Sequence, residues 1–254
     1  MTDLGNTAGT PPKPIRQSKR AHMLAIVGLL FIALSGPLAK AGVFSPMVGM
    51  LGYTIASLLL FIALIIGLRA LFGNRNTNVL ENTITTWVVV ALGVGITGLN
   101  AYTISSTLGA PPIHDITTDV ANPPEFVDIV ALREAADAPN PPQYLDDGGA
   151  ELQMAAFPQI KTLLLQESYQ DVFAEALDAT EDMGWQIVTA NLAEGRIEAV
   201  ATTGYVGFKD DVVIRIRDDG NAVAVDIRSK SRMGKGDMGA NAARILAWQD
   251  ELDN

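Results

Sequence analysis

The sequence contains no cysteine and only two histidines, His22 and His114. Without cysteine there is no disulfide bond and no thiolate chemistry, and this absence is compatible with any cellular compartment. The two histidines lie far apart in the sequence, so the spaced cluster that zinc sites show is missing as well. We therefore predict no metal site and no cofactor.

The sequence also lacks a recognisable catalytic constellation, and its one nucleotide-like motif is out of context. Residues 234–239 read GKGDMG, a literal G-x-G-x-x-G between a predicted strand and a predicted helix. A dinucleotide fold needs a second parallel strand after that helix, and none is predicted before Asn254. We interpret the motif as a strand-to-helix connection in which Asp237 caps the helix.

Negative charge is nearly absent from the first part of the chain. Residues 1–104 contain seven Lys/Arg and two Asp/Glu, a balance of +5, whereas residues 105–254 contain eleven and twenty-six, a balance of −15. The acidic excess of the second part argues against a nucleic-acid partner. The contrast predicts two parts that lie in different solvents.

The first part holds three uncharged apolar stretches, at 23–39, 47–68 and 86–104. The last two are long enough to cross a bilayer as helices, and the first is shorter and contains Ser35-Gly36-Pro37. Without intramembrane charges we do not predict ion or proton transport. Asn100, together with Gly93, Gly95 and Gly98, predicts helix packing or oligomerisation instead.

Positive charge predicts the orientation of these spans. The N-terminal tail carries four Lys/Arg and the second loop carries Arg69 and Arg75, whereas the first loop offers only Lys40. The N-terminus is therefore predicted to be cytoplasmic and the C-terminal part to lie across the membrane. A signal peptide cleaved near residues 39–41 is the alternative, and it leaves the C-terminal part on the same side.

The second part predicts an α+β domain. A helix at 166–184 precedes strands at 185–190, 196–203 and 209–217, and an Asp-Gly turn at 219–220 leads into a fourth strand and a closing helix. We predict a four-stranded antiparallel meander flanked by two helices, with Ile216 opposite Val223 and Asp211 opposite Arg228. The predicted buried stripe of the closing helix consists of Met238, Ala242, Ile245, Leu246 and Leu252.

Both helices are expected to cover one face of this sheet. The other face would then contact water or a partner, and it carries the charged residues Arg196, Glu198, Arg215, Arg217, Asp226 and Arg228.

Eight of the thirteen prolines fall between residues 105 and 160, which predicts an extended strap over the domain. Within it, His114 with Asp115 or Asp119 is a candidate general base. The alternative for His114 is a hydrogen bond to a backbone carbonyl or a role in a turn. The predicted organisation is a disordered cytoplasmic tail at 1–22, a three-span region at 23–104, the strap at 105–160 and the domain core at 161–254.

Several motifs of the second part together resemble a bacterial family of unknown function, DUF1499. They are PPIHDITTD, GRIEAVATT, GFKDDVVIRI and DIRSKSRMGKGDMGANAARI, and the resemblance covers nearly all of residues 108–252. It implies a membrane-anchored protein of a Gram-negative bacterium, hence an inner-membrane location with the domain in the periplasm, and no catalytic assignment. The resemblance places these residues at family motif positions: His114, Asp115, Asp119, Asp210, Asp211, Arg228, Ser229, Ser231, Arg232, Asp237, Asn241 and Arg244.

Our main functional interpretation is a non-catalytic binding or envelope-assembly module. Its partner would be another envelope protein, an anionic lipid or a cell-wall fragment. The alternative is a hydrolase or lyase in which His114 is the base and Arg228 or Arg232 stabilises an anion. The candidate binding residues are Arg228, Ser231, Arg232, Lys235, Asn241 and Arg244.

Overall fold

The protein is described by a computed structural model that covers residues 13–72, 80–145 and 148–252. The chain divides into two compact units, residues 1–106 and 107–254. Each unit is described separately. Residues 1–12 of the predicted tail, and Arg75 of the second loop, lie outside the described residues.

The first unit consists of three helices, α1 (Lys13–Lys40), α2 (Pro46–Phe72) and α3 (Leu80–Thr107). Each contains a segment long and apolar enough to cross a membrane, which confirms the prediction of three spans. Helix α1 begins earlier than expected, so residues 13–22, which we predicted to be disordered, are helical.

Small residues bring these helices together. A Cβ added at Gly52 would lie 2.4 Å from the Cβ of Ser35, and one added at Gly93 would lie 2.6 Å from the Cβ of Leu64. Only glycine permits such close approach of two helices. The Tyr53 hydroxyl also donates a 2.7 Å hydrogen bond to Oδ1 of Asn100, so this polar side chain has a partner within the unit.

The second unit is built on an antiparallel sheet of six strands. Four of them form the predicted meander: β3 (Gln186–Asn191), β4 (Arg196–Thr202), β5 (Lys209–Asp218) and β6 (Val223–Ser231). The prediction of four strands is wrong for the sheet, because β1 (Asp115–Thr117) and β2 (Leu163–Leu165) both pair with β6. Each has three residues, too few for an alternating pattern to be recognised.

The β5–β6 hairpin has the predicted faces but not the predicted register. Ile216 lies opposite Val225 and Asp211 opposite Lys230, two positions further along β6 than expected. The cause is a longer loop, closed by a hydrogen bond from the Asp219 N–H to the Ala222 carbonyl. Because a shift of two residues preserves the alternation, every side chain stays on its predicted side.

Four helices accompany this sheet: α4 (Ile129–Ala135), α5 (Gly149–Ala156), α6 (Tyr169–Asp182) and α7 (Ala240–Leu252). Ser168 caps α6 by accepting from the Asp171 N–H, and Gly184 follows the helix with a positive φ of 68°. Helix α6 was therefore predicted correctly. Helices α4 and α5 both fall within the predicted proline-rich strap.

Helices α6 and α7 cover one face of the sheet and form the main core. Trp248 of α7 is fully buried, and its Nε1 donates a 3.1 Å hydrogen bond to Oγ1 of Thr180 in α6. The predicted stripe missed Trp248 and wrongly included Met238, which is 63% exposed. Met238 precedes the helix, at a φ of 57°, so helical periodicity does not apply to it.

The other face of the sheet is covered as well, contrary to our prediction. Phe126 and Ile129 pack on Val200 and Val213 in a second apolar core. Residues 118–145, called here the covering segment, supply this layer and also side chains that bond the charged face. The alternation of charged and apolar residues along the strands was misleading. A charged face whose residues form ion pairs with a second layer has the same sequence pattern as a charged face in contact with water.

The outer edge of β1 is partly closed by a side chain. Gln153 of α5 accepts a 3.0 Å hydrogen bond from the Thr117 N–H and donates a 2.6 Å hydrogen bond to the Thr117 carbonyl. The amide therefore occupies the position that a neighbouring strand would take.

We predict that Gly195→Ala destabilises the second unit far more than Gly220→Ala. Both glycines have positive φ, 62° and 83°, which costs an alanine about 1 kcal/mol. Only at position 195 does the added Cβ meet backbone, 2.1 Å from the Ile216 carbonyl oxygen, so we expect a total loss of about 3 kcal/mol. Denaturant unfolding followed by tryptophan fluorescence measures both, and equal losses would contradict the backbone contact.

Candidate functional site

The charged face of the sheet is a network of buried ion pairs. Asp211 of β5 is fully buried and accepts from Arg232 through both Nε and Nη2, and from Nη1 of Arg133 at 2.5 Å. Arg133 belongs to α4 in the covering segment and is itself buried. One carboxylate thus joins the end of β6 to the layer above the sheet.

Asp226 is the second buried carboxylate of this face. It accepts from Arg215 at 2.7 Å, Arg217 at 2.9 Å and the hydroxyl of Thr162 at 2.5 Å. Burial alone would raise the pKa of Asp226, but these hydrogen bonds and positive charges outweigh it and hold the pKa below its ordinary value.

Asp115 of β1 forms the third cluster. Its carboxylate accepts from Nε and Nη2 of Arg228, both at 2.8 Å, and lies 2.9 Å from Nζ of Lys230. The Arg228 guanidinium also lies 4.7 Å from the centre of the Phe126 ring and 5.3 Å from that of Tyr144. The cation is therefore fully engaged inside the domain.

Lys230 is 1% exposed, which is unusual for a lysine. Its Nζ donates a 2.7 Å hydrogen bond to the Gln143 carbonyl, in addition to the ion pair with Asp115. Burial lowers the pKa of Lys230 below its ordinary value, with the positive charges of Arg228 and Arg133 acting in the same direction and Asp115 opposing them.

A separate polar network lies on the helix side of the sheet. Nη2 of Arg244 in α7 donates to Asp210 at 2.6 Å, and Nη1 donates to Asn241 and Ser229. The Asn241 amide in turn donates to Ser231 and to the His114 carbonyl. These side chains fasten α7 to β6 and to the residue that precedes β1.

The glycine-rich connection between β6 and α7 runs beside residues 112–114. Asp237 donates its N–H to the Ile113 carbonyl, and its carboxylate accepts from the N–H groups of Gly239 and Asn241. Asp237 therefore caps the start of α7, as predicted. Burial raises the pKa of Asp237, and the two N–H groups partly offset this. Nδ1 of His114 lies 3.4 Å from the Lys235 carbonyl.

A cavity of about 340 Å³ opens at this place. Two lysines, His114 and Asp115 line it together with mostly apolar neighbours; the full lining is Pro112, Ile113, His114, Asp115, Tyr144, Leu145, Gly149, Leu152, Lys230 and Lys235. Its wall combines the start of β1, the end of β6, the start of α5 and the glycine-rich connection. It is our candidate functional site.

The predicted site residues are distributed unevenly around this cavity. His114, Asp115 and Lys235 line it. Asp119 lies elsewhere, where it accepts from Arg215 and from the N–H groups of Ala121 and Asn122. The remaining predicted residues belong to the intramolecular networks described above; they are Arg228, Ser231, Arg232, Asn241 and Arg244.

Two central residues of these networks, Lys230 and Arg133, were not predicted from the sequence. Lys230 follows Arg228 by two positions on the strand, so it was recognisable as a neighbour of the same face. Arg133 gave no signal, because an arginine in a short helix resembles a solvent-exposed one. Within the described ranges no group of three or more His, Cys, Asp or Glu side chains could hold a metal ion.

Comparison with protein families gives a match to the second unit. A family described as protein of unknown function (DUF1499) matches residues 115–252. The match begins at Asp115 of β1 and ends at the last residue of α7, so it covers the whole sheet. Comparison with curated proteins finds no match.

We predict that Asp226→Asn makes the second unit less stable at neutral pH, by about 3 kcal/mol, because two guanidinium groups lose their carboxylate. The pKa of Asp226 is lower in the folded protein than its ordinary value of 3.8. The ionised carboxylate therefore stabilises the fold fully above pH 3.8, and this stabilisation is lost as the pH falls through the pKa of the folded state. The difference from the parent should therefore shrink towards pH 2. Chemical unfolding between pH 2 and 7 tests this, with the exposed Asp178→Asn as control.

Proposed function

The chain belongs to the DUF1499 family, and from that premise we propose that its C-terminal unit is a membrane-anchored binding module. Its ligand would be a small molecule that joins an anionic group to an apolar one, held in the cavity between β1, α5 and the glycine-rich connection. The observation that carries this proposal is Lys235, a cation of the cavity wall without an ion-pair partner in the described part of the chain.

The charge of the cavity supports an anionic ligand. Asp115 is the carboxylate of the lining, and it is already neutralised by Arg228 and Lys230. The exposed ammonium group of Lys235 therefore adds net positive charge at the opening. An anion that binds there gains a charge-assisted hydrogen bond without displacing an existing ion pair.

The remaining lining supports an apolar portion of the ligand. Ile113, Leu145 and Leu152 contribute aliphatic surface, and Tyr144 contributes an aromatic ring. A mostly apolar wall with a few placed polar groups is typical of small-molecule sites, and the volume is at the lower end of their usual range.

We propose that this module lies in the periplasm and that the N-terminus is cytoplasmic. An odd number of spans would leave the segments before and after them on opposite sides of the membrane. The cations Lys19 and Arg20 near the start of α1 and Arg69 near the end of α2 support a cytoplasmic location for these two helix ends. A periplasmic cavity would have access to envelope proteins, lipids and cell-wall fragments.

The alternative function is a hydrolase or lyase with His114 as the base. The observation in its favour is that His114 and the buried Lys230, whose pKa is lowered, line the same cavity. The anion-stabilising role of Arg228 or Arg232 has less support, because each guanidinium group makes two hydrogen bonds to an aspartate. A screen with ester and phosphoester substrates, comparing the parent with His114→Gln, would reveal such an activity.

We expect the full-length protein in lipid nanodiscs to bind 4-phenylbutyrate better than its uncharged amide. Lys235→Gln should weaken binding of the acid about 3- to 10-fold, because it removes a charge-assisted contact. Isothermal titration calorimetry measures the affinities, and Lys161→Gln, a change of an exposed lysine outside the cavity, is the matched control. Equal binding of the acid and the amide would contradict the proposed anion site.

The absence of native cysteine allows a direct test of orientation. We expect a cysteine placed at Asp178, an exposed position of α6, to react with a membrane-impermeant maleimide in cells whose outer membrane alone is permeabilised. A cysteine at Thr7 should react only after the inner membrane is broken. The reverse pattern of labelling would place the module in the cytoplasm.

A further inference from the structure

We propose that the ligand of this cavity is the C-terminal end of a short peptide, bound in extended conformation against β1. This inference rests on the proposed binding function and names the class of ligand. In this arrangement the free carboxylate of the peptide binds Lys235. The N–H and C=O of its penultimate residue form hydrogen bonds with the backbone C=O and N–H of Asp115.

Strand β1 lies at the end of the sheet, so its outer edge has no neighbouring strand among the described residues. His114 and Thr118 bond to β6, as the hydrogen bonds from Ser231 N–H to the His114 carbonyl and from Thr118 N–H to the Ile227 carbonyl show. In an antiparallel pair alternate residues point their N–H and C=O groups to opposite sides. The backbone groups of Asp115 and Thr117 therefore point away from β6, towards the outer edge.

Gln153 occupies this edge at Thr117 but not at Asp115. The Gln153 amide bonds both backbone groups of Thr117, so that position is closed. Among the described residues no turn, loop or side chain makes a hydrogen bond to the backbone N–H or C=O of Asp115. Asp115 is also one of the residues that line the cavity, so a ligand bound there would lie beside this open N–H and C=O.

This pair of groups matches a peptide unit. A residue in extended conformation presents an N–H and a C=O on the same side, and it pairs with one residue of an edge strand through two hydrogen bonds. A fatty acid has no group that satisfies both. The edge offers a single open residue, so the structure favours a peptide end over a long strand.

The position of Lys235 sets the direction of the peptide. Lys235 lies beside the residues that precede β1, because its carbonyl is 3.4 Å from His114 Nδ1 and the next glycine approaches Pro112. A peptide that runs antiparallel to β1 places its C-terminal carboxylate at this end. Its side chains would then reach the apolar wall of Ile113, Leu145 and Leu152.

The test uses the full-length protein in lipid nanodiscs and three probes. N-acetyl-leucyl-leucine carries both the carboxylate and the amide groups, and its analogue methylated on the nitrogen of the first leucine lacks the N–H that would donate to the Asp115 carbonyl. 4-Phenylbutyrate carries the anion alone. We expect the methylated analogue to bind about 5- to 10-fold more weakly than the parent dipeptide, because one buried acceptor loses its donor.

A second measurement reports on the backbone N–H groups of β1. Hydrogen–deuterium exchange of the segment 112–118 should slow when N-acetyl-leucyl-leucine is bound and should not change with 4-phenylbutyrate, because only the peptide pairs with the Asp115 N–H. Lys235→Gln should weaken the dipeptide and leave its amide form, which lacks the carboxylate, unaffected; Lys161→Gln should change neither.

The outcomes separate this inference from the proposed function. If the methylated analogue binds as well as the parent dipeptide, the peptide assignment is wrong, while binding of 4-phenylbutyrate that depends on Lys235 would still support the anion site. If neither the dipeptide nor 4-phenylbutyrate binds, both proposals are wrong. Selective binding of the unmethylated acid, with slowed exchange at 112–118, supports both.

Discussion

The ion pairs between the sheet and the covering segment are the interactions on which the second unit depends. Asp211 on β5 binds Arg133 of the covering segment, and Asp119 of that segment binds Arg215 of β5. Each layer therefore contributes both a carboxylate and a guanidinium group to the other. A buried charge without its partner is strongly destabilising, so each layer requires the other to be in place. This reciprocity fixes residues 118–145 on the sheet and, with them, the Tyr144 and Leu145 wall of the cavity.

The elements with strong periodicity were predictable from the sequence. Helix α6 has a capping serine, an apolar stripe and a terminal glycine, and these local signals agree with its packing. The β5–β6 hairpin has long alternating strands, so its faces were correct even though its register was not. Strands β1 and β2 gave no comparable signal, because a three-residue strand is defined by its pairing with β6 rather than by its own sequence.

The candidate site was predictable in part. The His114-Asp115 pair and the basic connection after β6 were separate motifs in the sequence, and the structure brings both to one cavity because β1 pairs with the end of β6. The buried cations could not be assigned in this way. Arg228 and Lys230 look alike as alternating cations on a strand, and only the pairing of β6 with β1 brings both of them to Asp115.

The Gln153 side chain at the edge of β1 has a further consequence for molecules that share a membrane. Tethered copies of a domain are concentrated in two dimensions, where an unsatisfied strand edge is a template for association between identical chains and, eventually, for aggregation. A glutamine amide imitates one peptide unit and then stops, because it has no continuing backbone to recruit the next strand. At Thr117 this side chain therefore opposes extension of the sheet by a neighbouring copy.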